Sequence, residues 1–62
     1  MVKFKDLVQL VEPDVIFIVY YGGDRETYLM KYAEEIKDTY LEDCIITYLD
    51  TSPYGFEVYV RE

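Results

Sequence analysis

Few side chains in this 62-residue sequence could carry out covalent chemistry. Nucleophilic catalysis needs a thiol or hydroxyl beside a general base; Cys44 and Ser52 are present, but the sequence contains no histidine. Because Cys44 stands at the start of an apolar run, we interpret it as a small, buried core residue. The cysteine and histidine pairs that bind zinc are missing, and so is the alternating acidic loop that binds calcium. The sequence therefore predicts a non-enzymatic protein with no metal and no cofactor.

The most concentrated ionisable side chains form an acidic cluster, which comprises Glu34, Glu35, Asp38, Glu42 and Asp43. On a continuous helix, residues four apart bring their Cβ atoms within about 5–6 Å of each other. This spacing is of the same order as the step between phosphates along a nucleic-acid strand. Two interpretations remain open. The cluster is a solvated helix face that keeps the protein soluble, or it is a surface that imitates a nucleic acid towards a basic partner.

The sequence also contains eight tyrosines. Three of them lie within apolar patterns and are predicted to belong to the core: Tyr20, Tyr32 and Tyr48. Tyr40, Tyr54 and Tyr59 occupy positions that look more exposed, and tyrosine is enriched at protein interfaces. We therefore predict that a partner contacts these last three tyrosines together with the acidic cluster.

The charge balance restricts the classes of partner. The formal net charge is -7 and the pI is near 4.3, whereas contacts to phosphate need clustered Lys and Arg. Direct binding to nucleic acid or to an anionic membrane is therefore not expected, and basic proteins are favoured. No apolar run approaches the ~20 residues that span a bilayer, and a single cysteine fits a reducing compartment. We expect a cytoplasmic protein.

The apolar run from Val15 to Tyr21 predicts the central strand of a single domain that covers residues 1–62. Its residues are β-branched or aromatic, and both faces of the strand are apolar. A chain this short buries only about 60% of its unfolded surface and often needs a partner subunit for stability. We therefore predict a homodimer or an obligate complex, in which the partner covers one face of this strand.

Helical periodicity predicts a short helix from Lys3 to Val11, ended by Pro13. After the glycines that follow the central strand, two interpretations are open: Glu26 to Lys31 returns as a second strand, or a helix starts at Asp24 as its N-cap. Both interpretations include a helix from Glu34 to Leu41.

Two further strands are predicted near the end of the sequence, from Ile45 to Leu49 and from Phe56 to Val60. Because apolar and polar residues alternate in the last strand, we interpret it as an edge strand. The predicted fold class is α+β, with a small antiparallel sheet of three or four strands, an N-terminal helix and a second helix. The element order is α-β-β-α-β-β or α-β-α-β-β.

The layout resembles a group of short, uncharacterised proteins from phages and mobile elements of Gram-positive bacteria. The shared pattern is a short helix at residues 4–11, a Pro13-Asp14 step into the apolar strand, an Ala-x-x-Ile segment at residues 33–36, and a closing hairpin. The resemblance implies an α+β fold and a mobile-element origin, and it carries no activity and no site residues. The segment after the first strand forms a β-hairpin in that group.

These observations predict a non-enzymatic interaction protein. The leading hypothesis is a phage-encoded inhibitor or modulator that occupies a basic, nucleic-acid-binding surface of a host protein, as anti-restriction and anti-CRISPR proteins do. The alternative is a homo-oligomeric structural or accessory phage protein without nucleic-acid mimicry.

Overall fold

The computed structural model describes residues 1–22 and 28–62 of the chain. Its α+β fold and its element order, α-β-β-α-β-β, agree with the first of the two predicted orders. The described elements are α1 (Phe4–Val8), β1 (Ile16–Tyr21), β2 (Tyr28–Tyr32), α2 (Ala33–Ile36), a 3-10 helix (Tyr40–Asp43), β3 (Ile45–Ser52) and β4 (Gly55–Arg61).

Within the described residues, the strands form a four-stranded sheet in the order β2-β1-β4-β3. The outer pairs, β1 with β2 and β3 with β4, are antiparallel, but β1 and β4 run parallel. The sheet is therefore mixed rather than wholly antiparallel. The parallel pair is possible because the segment that contains α2 and the 3-10 helix carries the chain from the end of β2 back to the opposite end of the sheet. β3 therefore runs in the same direction as β2, and β4 runs in the same direction as β1.

The central position predicted for β1 is confirmed, whereas the edge position predicted for β4 is wrong. β1 pairs with β2 on one side and with β4 on the other, and β4 lies between β1 and β3. The apolar–polar alternation of β4 reflects burial of one face only. Alternation reports which face of a strand is covered, and it carries no information on how many strands lie beside it.

The hairpin interpretation of the segment after β1 is confirmed for residues 28–32. β2 pairs with β1 from Tyr32 opposite Ile16 to Tyr28 opposite Tyr20. Pairing with the exposed edge of β1 outweighs the helical propensity of this segment, because a strand beside β1 satisfies backbone groups that a helix would leave unpaired. The predicted N-cap Asp24 and the beginning of the predicted strand at Glu26 lie outside the described residues.

The continuous helix predicted from Glu34 to Leu41 is wrong. α2 ends at Ile36, and the chain passes through Asp38, which has a positive φ of 62°, before it enters the 3-10 helix. A left-handed residue ends a right-handed helix. The interruption places Leu41 in the core, where it is 4% exposed, and leaves Tyr40 64% exposed. α1 is likewise shorter than predicted, since it ends at Val8 rather than Val11.

The core lies between one face of the sheet and the helices. Phe17 and Val19 of β1 and Val58 and Val60 of β4 point towards the helical side, and each is at most 1% exposed. They pack against apolar residues of α1, α2 and the 3-10 segment, namely Phe4, Val8, Ala33, Ile36, Leu41 and Cys44. We call this side of the sheet the covered face.

Candidate interaction surface

The opposite side of the sheet, which we call the open face, packs against none of the described helices. Side chains alternate along each strand, and directly paired residues share a face. The register therefore assigns these residues to the open face: Tyr28, Met30 and Tyr32 of β2; Ile16, Ile18 and Tyr20 of β1; Glu57 and Tyr59 of β4; Tyr48 and Asp50 of β3.

A row of tyrosine rings crosses all these strands on the open face. The ring of Tyr20 lies 5.7 Å from that of Tyr28 and is stacked on that of Tyr59 at 4.5 Å. Tyr59 in turn meets Tyr48 edge to face, with 5.5 Å between the centroids. We call Tyr28, Tyr20, Tyr59 and Tyr48 the tyrosine row. Its contacts fix the rings in place, because aromatic pairs prefer offset and edge-to-face geometries at these separations.

The margins of the open face are exposed and apolar. Tyr28, Met30 and Tyr48 are each between 53% and 55% exposed, and Tyr32 is 46% exposed. In the middle of the face, Ile18 is only 9% exposed, and its partners in the register are the longer side chains of Met30 and Glu57. The single chain thus shields the centre of this face, while its aromatic and thioether margins stay available for contact. Contiguous apolar surface of this kind usually marks an interaction site.

Two carboxylates of the open face accept hydrogen bonds from the tyrosine row. The hydroxyl of Tyr20 donates to Glu57 Oε1 at 3.1 Å, and the hydroxyl of Tyr48 donates to Asp50 Oδ2 at 3.3 Å. The negative charge of Asp50 and this hydrogen bond raise the pKa of Tyr48, because both favour the neutral phenol. The face therefore combines aromatic rings with negative charge, and the cationic Arg61 stands at its end on β4.

The acidic cluster lies along α2 and the 3-10 helix, and one member, Glu35, lines a shallow pocket with Ile16, Met30 and Tyr32 at the margin of the open face. Two of its members have structural partners: Glu35 Oε1 accepts the backbone N–H of Tyr32 at 2.9 Å, and Glu42 Oε1 accepts that of Asp38 at 3.0 Å. Because the predicted helix is broken at Asp38, the regular four-residue spacing that would imitate phosphates is lost. Glu34 and Asp43 remain exposed.

The tyrosines of the predicted partner site are dispersed. Tyr40 accompanies the acidic cluster, Tyr54 lies in the β3–β4 turn at 69% exposure, and only Tyr59 belongs to the open face. The prediction that Tyr32 and Tyr48 are core residues is wrong, because both are exposed on strands at the sheet edges. The alternation of Tyr28, Met30 and Tyr32 could have revealed the open face, but in the sequence it competes with a helical stripe.

Cys44 is buried, as predicted, at 2% exposure. Burial raises the pKa of its thiol, with smaller contributions from the carboxylates of Glu62 and Asp43, so the reactive thiolate is disfavoured. In the part of the chain that the structure describes, no three Cys, Asp or Glu side chains come together in a group that could hold a metal ion. Among the same residues, no helix is long and apolar enough to cross a membrane.

Comparison with protein-family models, with curated proteins and with solved structures finds no match in any of the three. Arguments about function therefore depend on the geometry and the charge of the molecule.

Proposed function

We propose that this protein is a non-enzymatic binding module, which covers a basic surface of another protein with the open face of its sheet. The observation that carries the proposal is the tyrosine row, which crosses the sheet on the side where none of the described helices packs and is accompanied by Glu57 and Asp50. Tyrosine combines a large rigid ring with a hydroxyl, and such residues are enriched where proteins bind each other.

We infer a basic partner from the chemistry of the open face and from the net charge of the whole chain. Guanidinium and ammonium groups bind to the faces of aromatic rings, and each contact contributes about 0.5–1 kcal/mol at exposed sites. The carboxylates beside the rings then provide ion pairs for the same groups. The net charge of -7 attracts a cationic surface over a longer range, which accelerates association at low ionic strength.

Together with the resemblance to phage and mobile-element proteins, this chemistry suggests the biological role. We propose that the partner is a nucleic-acid-binding protein of the host cytoplasm, and that the module inhibits it by occupying its basic groove, in the manner of anti-restriction and anti-CRISPR inhibitors. A second copy of this chain is a poorer occupant of the open face, because it would oppose Glu57 and Asp50 to identical carboxylates.

An arginine-rich peptide serves as a model of the basic partner. The test is titration of the protein with this peptide at low salt, followed by NMR of the tyrosine ring protons. We expect the largest shifts at Tyr28, Tyr59 and Tyr48, and weakening of the interaction as salt is added. Largest shifts at Tyr40 and along the acidic cluster would contradict the assignment of the open face.

Charge reversal provides a matched pair of variants for the same titration. Asp50→Lys and Glu12→Lys change the net charge equally, and both residues are exposed, but only Asp50 lies on the open face. We expect Asp50→Lys to weaken binding of the peptide several-fold more than Glu12→Lys. Equal losses would show that net charge alone attracts the peptide.

The acidic cluster is the second candidate surface, because Glu34 and Asp43 are exposed on the helical side. Glu34→Lys combined with Asp43→Lys tests it without removing the backbone contacts of Glu35 and Glu42. Loss of peptide binding in this variant, with binding retained in Asp50→Lys, would transfer the function from the open face to the acidic cluster.

A further inference from the structure

We propose that the outer edge of β2 pairs with the same edge of a second copy of this chain. The two strands run antiparallel with Met30 opposite Met30 on a two-fold axis, so that two four-stranded sheets join into one continuous sheet. This assembly leaves the open face available and does not depend on what binds there.

Backbone geometry determines which groups point outward from β2. Ala33 N–H donates to the carbonyl oxygen of Val15 at 2.8 Å, so these two residues form a hydrogen-bonded pair across the β1–β2 ladder. Hydrogen-bonded and non-hydrogen-bonded pairs alternate in antiparallel ladders. The paired residues Tyr32–Ile16 and Met30–Ile18 therefore direct their N–H and C=O groups away from each other.

A second contact supports this assignment. Tyr32 N–H donates to Glu35 Oε1 at 2.9 Å, which requires that it point away from β1. By the same alternation, the N–H and C=O groups of Met30 and Tyr28 lie along the outer edge of the sheet. An edge that presents such groups is a template for another strand.

The opposite edge of the sheet is covered where β3 begins, so among the described strands β2 offers the more open edge. At the start of β3, Ile46 N–H donates to Val2 C=O at 2.9 Å, and Phe4 N–H donates to Cys44 C=O at 2.9 Å, so the N-terminal segment covers the beginning of that edge. A register shift between Ile46 and Tyr48 then bends β3. In β2 the register with β1 continues unbroken through all its pairs, and the strand contains neither proline nor glycine.

The side chains of β2 suit pairing with themselves. In the register centred on Met30, Tyr28 of each copy lies beside Tyr32 of the other, and Leu29 lies beside Lys31. Because the Tyr32 N–H is already bonded to Glu35 Oε1, the hydrogen bonds between the copies come from the N–H groups of Met30 and Tyr28. Aromatic cross-strand pairs stabilise a sheet, and like charges directly opposite each other destabilise it. The sequence YLMKY carries Lys31 as its one charge, and this register opposes no two lysines.

Two properties indicate that the dimer is reversible. An edge of five residues is only about 17 Å long, and interfaces this small belong to weak or transient complexes. Each copy carries a net charge of -7, and the mutual repulsion opposes association. Because salt screens this repulsion, we expect added salt to strengthen the dimer, opposite to its effect on binding of a basic peptide to the open face.

The test is sedimentation of the protein alone over a range of concentrations, for the natural sequence and for Met30→Pro. Proline removes an outward N–H without affecting the ladder with β1, and edge strands tolerate it. Two hydrogen bonds across the axis are lost, so self-association should weaken at least about tenfold. Met30→Ala, which keeps the N–H groups, should dimerise more strongly than Met30→Pro.

Cross-linking gives a measurement that does not require the proline variant to fold. Met30→Cys places one thiol on each side of the two-fold axis. The two Cα atoms of such a hydrogen-bonded pair lie about 5.5 Å apart, a distance that a disulfide can bridge. Mild oxidation should yield a covalent dimer of Met30→Cys, and much less of Leu10→Cys, whose parent residue is 82% exposed and lies beside β3, at the other edge of the sheet.

Three results would overturn the proposal. These are a natural sequence that stays monomeric at every concentration and salt level, a folded Met30→Pro variant that dimerises as strongly as the natural sequence, or equal cross-linking of the two cysteine variants.

Discussion

Residues next to each other along a strand lie on opposite faces of this sheet, and the two faces are shielded from solvent in different ways. On the covered face, Phe17 is fully buried beneath α1, where its ring meets that of Phe4 edge to face at 5.2 Å. On the open face, Ile18 is nearly as inaccessible, at 9% exposure, although none of the described helices packs on that side. A short chain can therefore shield both sides of a central strand while packing helices on one.

The chemistry of the two faces differs accordingly. The buried sheet residues of the covered face, Phe17, Val19, Val58 and Val60, have side chains without any polar atom that needs a partner. The open face contains tyrosines, and the Tyr20 hydroxyl reaches the Glu57 carboxylate at its solvent side. Tyrosine can shield an apolar neighbour and still be hydrated. The covered face thus serves stability, and the difference supports the proposal that the open face binds a partner.

The largest expected difference between the faces comes from placing a charge on each. Phe17→Glu loses a buried ring, which alone destabilises by about 3–5 kcal/mol, and it buries a carboxylate without a partner. We expect this variant to be unfolded in water. Ile18→Glu should remain folded with reduced stability, because its carboxylate can extend past the flanking side chains to solvent.

Circular dichroism and urea denaturation distinguish these outcomes. If both variants unfold, or if both fold with similar stability, the two faces contribute equally and the comparison fails.

The next largest loss of stability is expected where β4 begins and approaches the backbone of β1 closely, because both faces of the sheet depend on this pairing. At Gly55, the first residue of β4, a Cβ atom would lie 2.1 Å from the backbone oxygen of Ile16. Gly55→Ala must therefore push β4 away from β1, and we expect a loss of at least about 2–3 kcal/mol, of the size seen for overpacking. Gly22→Ala is the control, because Gly22 has a positive φ of 75° but no atom within 4 Å of the added Cβ.

For Gly22→Ala we expect only the backbone strain of about 1–2 kcal/mol. Both free energies of unfolding come from urea denaturation. A Gly22→Ala variant that loses as much stability as Gly55→Ala would mean that close approach of the strands is unimportant.

The sequence predicts best where a single physical requirement dominates. β1 is recognisable because β-branched and aromatic residues on both faces fit only a covered central strand. The helix predicted from Glu34 to Leu41 fails because its apolar stripe contains Tyr40, whereas in the fold Leu41 reaches the core after the turn at Asp38. Local periodicity does not include the tertiary contact that decides between these two residues.

The candidate site was harder to predict for a related reason. Tyrosine is compatible with both a core and an interface, so the pattern around Tyr48 indicated burial. Whether a tyrosine row forms depends on strand order and register, which bring Tyr20 beside Tyr59 although they are far apart in the sequence. The negative charge, in contrast, is evident from composition alone.

Removal of one ring from the tyrosine row should have an intermediate effect. Tyr59 contacts the rings of both Tyr20 and Tyr48, and each such pair contributes about 0.5–1.5 kcal/mol beyond burial. We expect Tyr59→Leu to lower the free energy of unfolding by about 1–2 kcal/mol, as measured by urea denaturation. Tyr54→Leu in the exposed turn should change it little, and an equal loss there would show that the row adds no stability.

The smallest effect concerns a phenol on the helical side, which can be compared with Tyr48 on the open face. Tyr21 donates a hydrogen bond to Glu62 Oε1 at 2.6 Å, and this bond, with a smaller contribution from burial, raises the pKa of Tyr21 from 10.0 to about 12. The fold stabilises the neutral phenol of Tyr21. The contribution of this hydrogen bond to the free energy of unfolding is therefore complete below pH 10.0 and is lost as the pH rises towards about 12.

Ultraviolet titration of tyrosinate absorbance measures this shift. Glu62→Ala should bring the pKa of Tyr21 back towards the ordinary value of about 10 and leave the titration of Tyr48 unchanged. If the late-titrating phenol persists in Glu62→Ala, its cause is not the contact with Glu62.

The parallel pairing of β1 with β4 has a consequence for how the chain is made. A ribosome produces β1 long before β4, yet β4 occupies the space between β1 and β3. Until residues 55–61 have left the exit tunnel, the nascent polypeptide can form its first hairpin, but Phe17 and Val19 lack the neighbouring strand that completes their packing. Such exposed apolar intermediates attract chaperones and tend to aggregate. Folding is therefore delayed until β4 has emerged from the ribosome, and a ribosome that stalls before that point would expose the chain to proteolysis.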